Sequence, residues 1–363
     1  MSRIVSIEPS LQFEVTGFGN NRRVKCAICG NWCVQSIVPH FRKRHPEIWA
    51  SWIQDFVDNW NAGMSYKQIM RKYGTLFTWA VIEDEIMKLA EKEKILLQVN
   101  PKSHVREWKP SRKSFKLEQS TIWRFFRRGD WAVHDSRYRG NWAPQVPRNL
   151  ILKYSKRGQT VLDSFVGGGT TLIECWLEGR NGIGVDASPW AVEVTRHKLA
   201  EMRMLAKRDK FELPKVHVTV RKGDARKLNF ISSESIDLIC AHPPYFDSLR
   251  YTRSAKEDLS QIHDLQRFNE EIGKVACELY RVLKRGRICA VLIGDVRRNG
   301  EFIPLERYVS DEFAKAGFKL KERIIKEQHH DGSTSFYLDM TKTGKHWIAH
   351  EYLLIFKKST LKT

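Results

Sequence analysis

The stretch VLDSFVGGGTTLIECWLEGRNGIGVDASP, residues 161–189, leaves this chain few choices of fold. A strand pattern ends at Asp163, three glycines follow (Gly167, Gly168, Gly169), and a helical pattern opens at Thr170 and Thr171. A second strand pattern ends in Asp186. Glycines at such a turn let the backbone come close to a ligand, at the carboxyl edge of a sheet where doubly wound folds bind cofactors. The alternation continues to the C-terminus. Strand-like TVLDSF, NGIGVDA, HVTVRKGDA, IDLICA, RICAVLIGD and EYLLIFKK are interleaved with helical PRNLILKYS, TTLIECWLEG, AVEVTRHKLAEMRM and FNEEIGKVACELYRVLK. This predicts an α/β domain over residues 121–363, a mostly parallel sheet with helices on both faces.

The acids narrow the ligand. Asp186 at its strand end is placed to accept hydrogen bonds from a ribose. Gly223-Asp224, ending a third strand, is positioned for an adenine amino group. The glycine spacing is not that of a dinucleotide fingerprint, Asp163 would repel a pyrophosphate, and no lysine follows the glycines as a P-loop requires. A carboxylate at Asp163 suits a cationic ligand, such as the ammonium and sulfonium of S-adenosylmethionine.

Further along, AHPPYFDSLRY (241–251) follows the run IDLIC. Two prolines remove two backbone donors and stiffen the chain, so this is a rigid corner rather than an ordinary strand end. With the segment from TIWRFF through YRGNWAPQVPRNLILKYSKRGQTVLDSFVGGGTTLIE to GVDASP, and with EYLLIFKK as a closing strand, the chain resembles the prokaryotic amino-DNA methyltransferases. Those enzymes methylate adenine N6 or cytosine N4. The likeness covers roughly residues 121–358, and it implies a Rossmann-like sheet that binds S-adenosylmethionine. It places His242, Pro243, Pro244 and Tyr245 at the family's catalytic tetrapeptide. His242 and the Pro243 carbonyl would accept hydrogen bonds from the target amino group, favouring the tetrahedral amine of the transition state. Tyr245 would stack on a base turned out of the duplex. Asp163, Phe165, Gly167, Gly169, Thr170, Asp186 and Asp224 would line the cofactor site. Trp123, Tyr138, Asn141 and Pro144 match the segment that closes over the cofactor's methionine end, with Asn141 on its carboxylate.

The family usually carries Asp, Asn or Ser where this chain has His242. An imidazole accepts only when neutral, so activity is expected to fall below roughly pH 6.5. A neutral acceptor is closer to serine than to aspartate, which leans the target toward cytosine N4.

The N-terminal third is organised differently. Cys26, Cys29, His40 and His45 form C-x2-C-x10-H-x4-H, close to a C2H2 zinc finger within residues 1–47, with Cys33 as an alternative ligand. The helical run IWASWIQDFVDNWNAG, followed by SYKQIMRKYG and TLFTWAVIEDEIMKLAEKE, predicts a helix-turn-helix-like module over 48–100. Residues 101–120 read as a basic linker or a strand-poor wrap. His329 and His330, without thiols nearby, make a weak metal pair. A net charge of +20 spread over the chain points to a polyanion, double-stranded DNA first. Seven cysteines without a secretory signal or a membrane-length apolar run fit a cytoplasmic protein. A cognate restriction endonuclease is a possible partner, and either a monomer or a homodimer fits. Two other functions fit the same residues: an RNA methyltransferase acting on guanine N2 of tRNA, and a DNA-binding regulator that has lost activity.

Overall fold

The computed structural model describes residues 13–16, 23–26, 28–33, 37–62, 64, 105–110, 115–135, 138, 140–246, 257–298, 300–328, 344 and 346–360. SYKQIMRKYG and TLFTWAVIEDEIMKLAEKE lie outside these residues, as do His329, His330 and most of the polar stretches expected near the substrate. The chain divides into two compact units, one formed mainly by Met1–Pro101 and one running from Lys102 onward.

In the first unit, β1 (Phe13–Thr16), β2 (Arg23–Cys26) and β3 (Trp32–Cys33) form a three-stranded antiparallel sheet. Two helices follow, α1 (Ile37–Arg44) and α2 (Pro46–Asn61). Proline suits the first turn of α2 because the N–H it lacks would have no intrahelical partner there. The spacing of Trp49, Trp52, Ile53, Phe56 and Val57 gives α2 one apolar face, and all five are buried. Trp52 stacks on Phe41 of α1 at 4.6 Å between ring centroids.

The second unit is an eight-stranded sheet. Its strands are β4 (Ile122–Trp123), β5 (Thr160–Asp163), β6 (Asn181–Asp186), β7 (Val218–Lys222), β8 (Ile236–Ala241), β9 (Leu283–Ile293), β12 (Phe318–Glu327) and β13 (His350–Lys358). Their spatial order is β4-β12-β13-β9-β8-β5-β6-β7. The run from β9 to β7 is parallel, while β13 is antiparallel to both of its neighbours. A short hairpin, β10 (Val296–Arg298) with β11 (Glu301–Ile303), follows β9. The expected mostly parallel sheet is present.

Alternate residues of the central strands feed cores on opposite faces. Ile239, Ala241, Cys289, Val291, Leu354 and Phe356 join one core with helices α6 (Leu265–Val282) and α7 (Leu305–Lys315). Leu238, Cys240, Ala290, Leu292, Leu353 and Ile355 join the other, with Val146, Leu150 and Ile151 of α3 (Gln145–Tyr154). Helix α4 (Thr170–Leu177) and helix α5 (Pro189–Arg208) contribute Leu172, Ile173, Leu199 and Met202 to a third cluster.

Within the stretch read as a linker or wrap, several of the described residues pack against the sheet domain. Val105 is buried in the third cluster, Trp108 stacks on Phe211 at 4.6 Å, and Glu118 N–H donates to Asn149 Oδ1 at 2.8 Å. A few apolar anchors in a basic sequence are enough to bind it to the sheet domain. Behind α4 lies a buried ionic hub. Glu174 accepts from Trp131 Nε1 at 2.6 Å and Arg148 at 2.8 Å, and lies 2.7 Å from His134 Nε2. Burial pushes the Glu174 carboxyl up, but its bonds to His134, Arg148 and Trp131 outweigh that and hold it below its ordinary value. Among the described residues, no helix is long and apolar enough to cross a membrane.

Candidate active site

The glycine turn leaves β5 at the carboxyl edge of the sheet and enters α4. Its shape is set by the two strand-end acids. Asp163 accepts from the Phe165 N–H at 3.0 Å and from the Thr171 hydroxyl. Asp186, one strand over, accepts from Gly167 N–H and Ser188 N–H, each at 2.9 Å. Gly169 sits at φ 81°, in the left-handed region open to glycine, and serves as the cap of α4. A Cβ there would lie 2.9 Å from Thr195 Cγ2 and 3.0 Å from Thr195 Oγ1. Thr195 in turn donates to Gly167 O at 2.9 Å.

Asp163 is buried and Asp186 half-buried. Burial raises Asp163 to about 7, with the neighbouring Asp186 adding to the rise, and raises Asp186 to about 6. Each carboxylate oxygen has a second lone pair, so the internal bonds do not exhaust them as acceptors. Two poorly solvated carboxylates side by side form a place where positive charge is favourable. Asn141 completes the turn by accepting from Gly168 N–H at 3.2 Å. Its buried Nδ2 has no partner among the described residues, and neither does the buried Ser164 Oγ. Buried donors without partners carry a cost that a ligand relieves. The Arg128 guanidinium, lowered to about 10 by burial, braces this corner by donating to the carbonyls of Asn141 and Asp135 at 3.0 and 3.2 Å.

The His-Pro-Pro-Tyr corner leaves β8, which runs parallel to β5 with Leu162 in register with Ile239. Both features therefore emerge side by side at the same sheet edge. His242 stacks on Trp142 with centroids 5.6 Å apart and planes 21° from parallel. Its Nε2 lies 3.2 Å from the Tyr245 hydroxyl, which donates to Glu351 Oε1 at 2.5 Å. Lys326 Nζ donates to the other oxygen, Glu351 Oε2, at 2.8 Å. Burial, with Lys326 nearby, pushes the His242 imidazole down to about 4 against the opposing pull of Glu351. The sequence-based expectation of an unperturbed histidine titrating near 6.5 is corrected here: enclosure keeps this ring neutral well into the acid range. The Tyr245 ring lies against the backbone of Gly294, where a Cβ would meet Cε2 at 2.7 Å.

The structure thus brings Asp163, Gly167, Gly169, Thr170, Asp186 and Asn141 together at one turn, with His242, Pro243, Pro244 and Tyr245 just past the end of the adjoining strand. Phe165 is half-buried against the sheet core. Two residues stand apart. Trp123 is 1% exposed in an apolar cluster and spends its indole N–H on Ser120 O at 3.0 Å, as a core residue does. Asp224 is gripped by Arg226, whose Nε and Nη2 reach its oxygens at 2.8–3.0 Å. The expected hold on an adenine amino group would have to share that carboxylate. Glu351, Lys326, Thr171 and Arg128 were not singled out from sequence. Thr171, facing Asp163 from the first turn of the helix, was within reach of a spacing argument; Glu351 lies 106 residues from the Tyr245 it touches.

In the first unit, the Sγ of Cys26 and Cys29 and the ring nitrogens of His40 and His45 all lie within 4.8 Å of one another. Cys29 Sγ is 3.3 Å from His40 Nε2, and Cys26 Sγ is 3.5 Å from His45 Nε2. The β2–β3 turn brings the cysteines together, and α1 carries His40 to them, with His45 just beyond its end. Two thiols and two imidazoles converging on one point form a donor set that suits Zn²⁺.

A family of DNA methylases, described by a profile for N6 and N4 methyltransferases, matches residues 43–197 and 236–363. The chain belongs to this family. Among curated proteins it is 28% identical over 165 residues to the type II methyltransferase M.MjaI of Methanocaldococcus jannaschii, covering 38% of this chain and 54% of that protein. It is 34% identical over 109 residues to the tRNA (guanine(10)-N2)-dimethyltransferase of Methanothermobacter thermautotrophicus, covering 30% of this chain and 29% of that one. The chain spans at most about half the length of the curated relatives it matches. Among solved structures, a DNA modification methylase from Thermus thermophilus complexed with S-adenosylmethionine is 26% identical, with a TM-score of 0.29 over 39% of this chain and 53% of that one.

Proposed function

We propose that this methylase moves a methyl group from S-adenosylmethionine to an exocyclic amino nitrogen of a base in double-stranded DNA. The observation that carries the reading is the emergence of the glycine turn and the double-proline corner from adjacent parallel strands at one sheet edge. The turn fits the cofactor on three counts: the unpartnered Asn141 Nδ2 for its carboxylate, the water-poor pair Asp163 and Asp186 for its positive charges, and the left-handed Gly169 for close backbone approach. S-adenosylmethionine would supply a sulfonium methyl to the amino nitrogen, its sulfur keeping the carbon–sulfur electron pair, and the proton displaced from the amine would pass to solvent.

An exocyclic amine is a poor nucleophile because its lone pair is delocalised into the ring. Acceptors on both N–H groups draw the nitrogen toward a tetrahedral shape and free that pair. His242, kept neutral, and the Pro243 carbonyl take this part, and Pro244 fixes the direction of that carbonyl. Tyr245 offers a face to the turned-out base. The neutral acceptor favours cytosine N4 over adenine N6. Positioning supplies most of the acceleration in such a transfer.

The Cys26, Cys29, His40 and His45 group is read as a structural Zn²⁺ site, and residues 1–100 as a unit that assists DNA engagement. The likeness to a tRNA guanine-N2 enzyme favours RNA as the second reading. Labelled methyl transfer to duplex DNA and to bulk tRNA in parallel separates the two. Label in DNA supports the proposal; label confined to tRNA overturns it. Metal content tests the zinc site: about one zinc per chain is expected, and its loss in Cys26→Ser.

A further inference from the structure

We propose that Glu351, acting through the Tyr245 hydroxyl, holds His242 in the tautomer with hydrogen on Nε2, leaving Nδ1 as the acceptor for the target amino group. The inference rests on the proposed methyl transfer and names the positioning residue behind its acceptor.

The polarity of the chain Lys326–Glu351–Tyr245–His242 runs one way. Lys326 can only donate, and it donates to Glu351 Oε2 at 2.8 Å. An ionised carboxylate can only accept. Burial works against the charge on Glu351, but Lys326 and the Tyr245 hydroxyl hold its carboxyl below the ordinary range. The Tyr245 hydrogen is therefore committed to Glu351 Oε1. Its oxygen, 3.2 Å from His242 Nε2, is left to accept, so Nε2 carries the ring hydrogen. Nδ1, on the other edge of the imidazole, keeps its lone pair. Trp142, stacked on the ring, fixes the plane in which that lone pair lies. Seating of the Tyr245 ring against Gly294 fixes the hydroxyl between its two partners. An amide or carboxylate at this position has a built-in acceptor oxygen. A histidine has one only if something else decides where its hydrogen sits, and Glu351 on β13 makes that choice.

Glu351→Gln reverses the polarity with little change of shape. Lys326 claims the amide oxygen, the amide nitrogen faces Tyr245, and the hydroxyl must then donate to His242 Nε2. The hydrogen moves to Nδ1 and the acceptor is lost. Nitrogen-15 NMR of histidine-labelled protein reads this directly, with the His242 signal assigned by its disappearance in His242→Asn. The wild type is expected to show hydrogen on Nε2, and Glu351→Gln to show it on Nδ1. Single-turnover methyl transfer at saturating cofactor and DNA should fall about 100-fold in Glu351→Gln, the scale of losing one aligned hydrogen-bond partner to a transition state. Binding of both should be unchanged. In a His242→Asn background the same change should cost less than about threefold, because an amide oxygen needs no tautomer. Tyr245→Phe, which cuts the chain without a new donor, should leave the His242 hydrogen shared between both nitrogens. A wild-type His242 with hydrogen on Nδ1 overturns the proposal. So does an unchanged tautomer in Glu351→Gln, or a switched tautomer with an unchanged rate. Wild-type protein that transfers no methyl to DNA would instead overturn the proposed function, while the tautomer measurement still decides the relay by itself.

Discussion

Gly169→Ala tests whether the glycine turn is as tightly determined as its geometry indicates. The residue sits at φ 81°, where an L-residue with a Cβ loses about 1–2 kcal/mol. The added methyl would lie 2.9 and 3.0 Å from the Thr195 side chain, which cannot swing aside without giving up its bond to Gly167 O. Overpacking of that kind costs about 1–3 kcal/mol, for a combined loss of about 2–5 kcal/mol. Urea unfolding of the cofactor-free protein measures this loss, and calorimetric titration with S-adenosylmethionine measures the damage to the cradle. Thr195→Ala removes both close atoms at the loss of one hydrogen bond. The double variant should therefore recover at least about 1 kcal/mol relative to the sum of the single changes. Cofactor affinity should fall at least about tenfold in Gly169→Ala. Stability within about 0.5 kcal/mol of wild type with unchanged affinity would refute the reasoning, because neither the left-handed backbone nor the contact with Thr195 would then matter.

Four other outcomes follow from the same structure. Glu174→Gln sets an amide NH₂ against donors in the hub of Trp131, His134 and Arg148; it should cost about 3–5 kcal/mol by urea unfolding. Because the Glu174 carboxyl is depressed by folding, its contribution is present above the unfolded carboxylate value and fades as pH drops below it, so wild type and variant should converge in acid. Asp163 and Asp186 are raised to about 7 and about 6, so cofactor binding near pH 6.5 should drive protons off them; calorimetry in buffers of different ionisation heat should show proton release, reduced in Asp186→Asn. With His242 at about 4, single-turnover transfer should show no acid limb near 6.5 assignable to this ring; the fraction of neutral imidazole is lost only as pH falls through about 4, and a limb near 6.5 that vanishes in His242→Asn would contradict the enclosure argument. Gly294→Ala would press a methyl against the Tyr245 ring, lowering the transfer rate at least about tenfold while changing the unfolding free energy by less than about 2 kcal/mol.

Much of this was legible in the chain itself. Every strand named from the sequence is present, and the central parallel strands β5, β8 and β9 advertise themselves as short continuous apolar stretches. β12 escaped because FKLKERIIKE alternates charge with apolar residues and reads as a polar segment until β13 pairs with it. Helix α7 escaped for a similar reason: its only buried residues are Leu305, Val309 and Phe313 in an otherwise charged run. The glycine turn and the proline corner were visible because each is local. What surrounds His242 was not. Glu351 lies 106 residues beyond Tyr245, and only the antiparallel closing of β13 against β9 and β12 brings it there. The imidazole's low affinity for protons is a property of that enclosure, so a reading from the unperturbed value had to miss it. Asp224 shows the same limit, since no spacing argument revealed that Arg226, two residues on, holds its oxygens.

The central claim is that an amino nitrogen receives the methyl group at the double-proline corner. Mass spectrometry of nucleosides from duplex DNA treated with the protein and S-adenosylmethionine tests it most directly. N4-methyldeoxycytidine or N6-methyldeoxyadenosine is predicted, with the yield strongly reduced by His242→Ala. A methyl group found only on a ring carbon, only in RNA, or nowhere would contradict it.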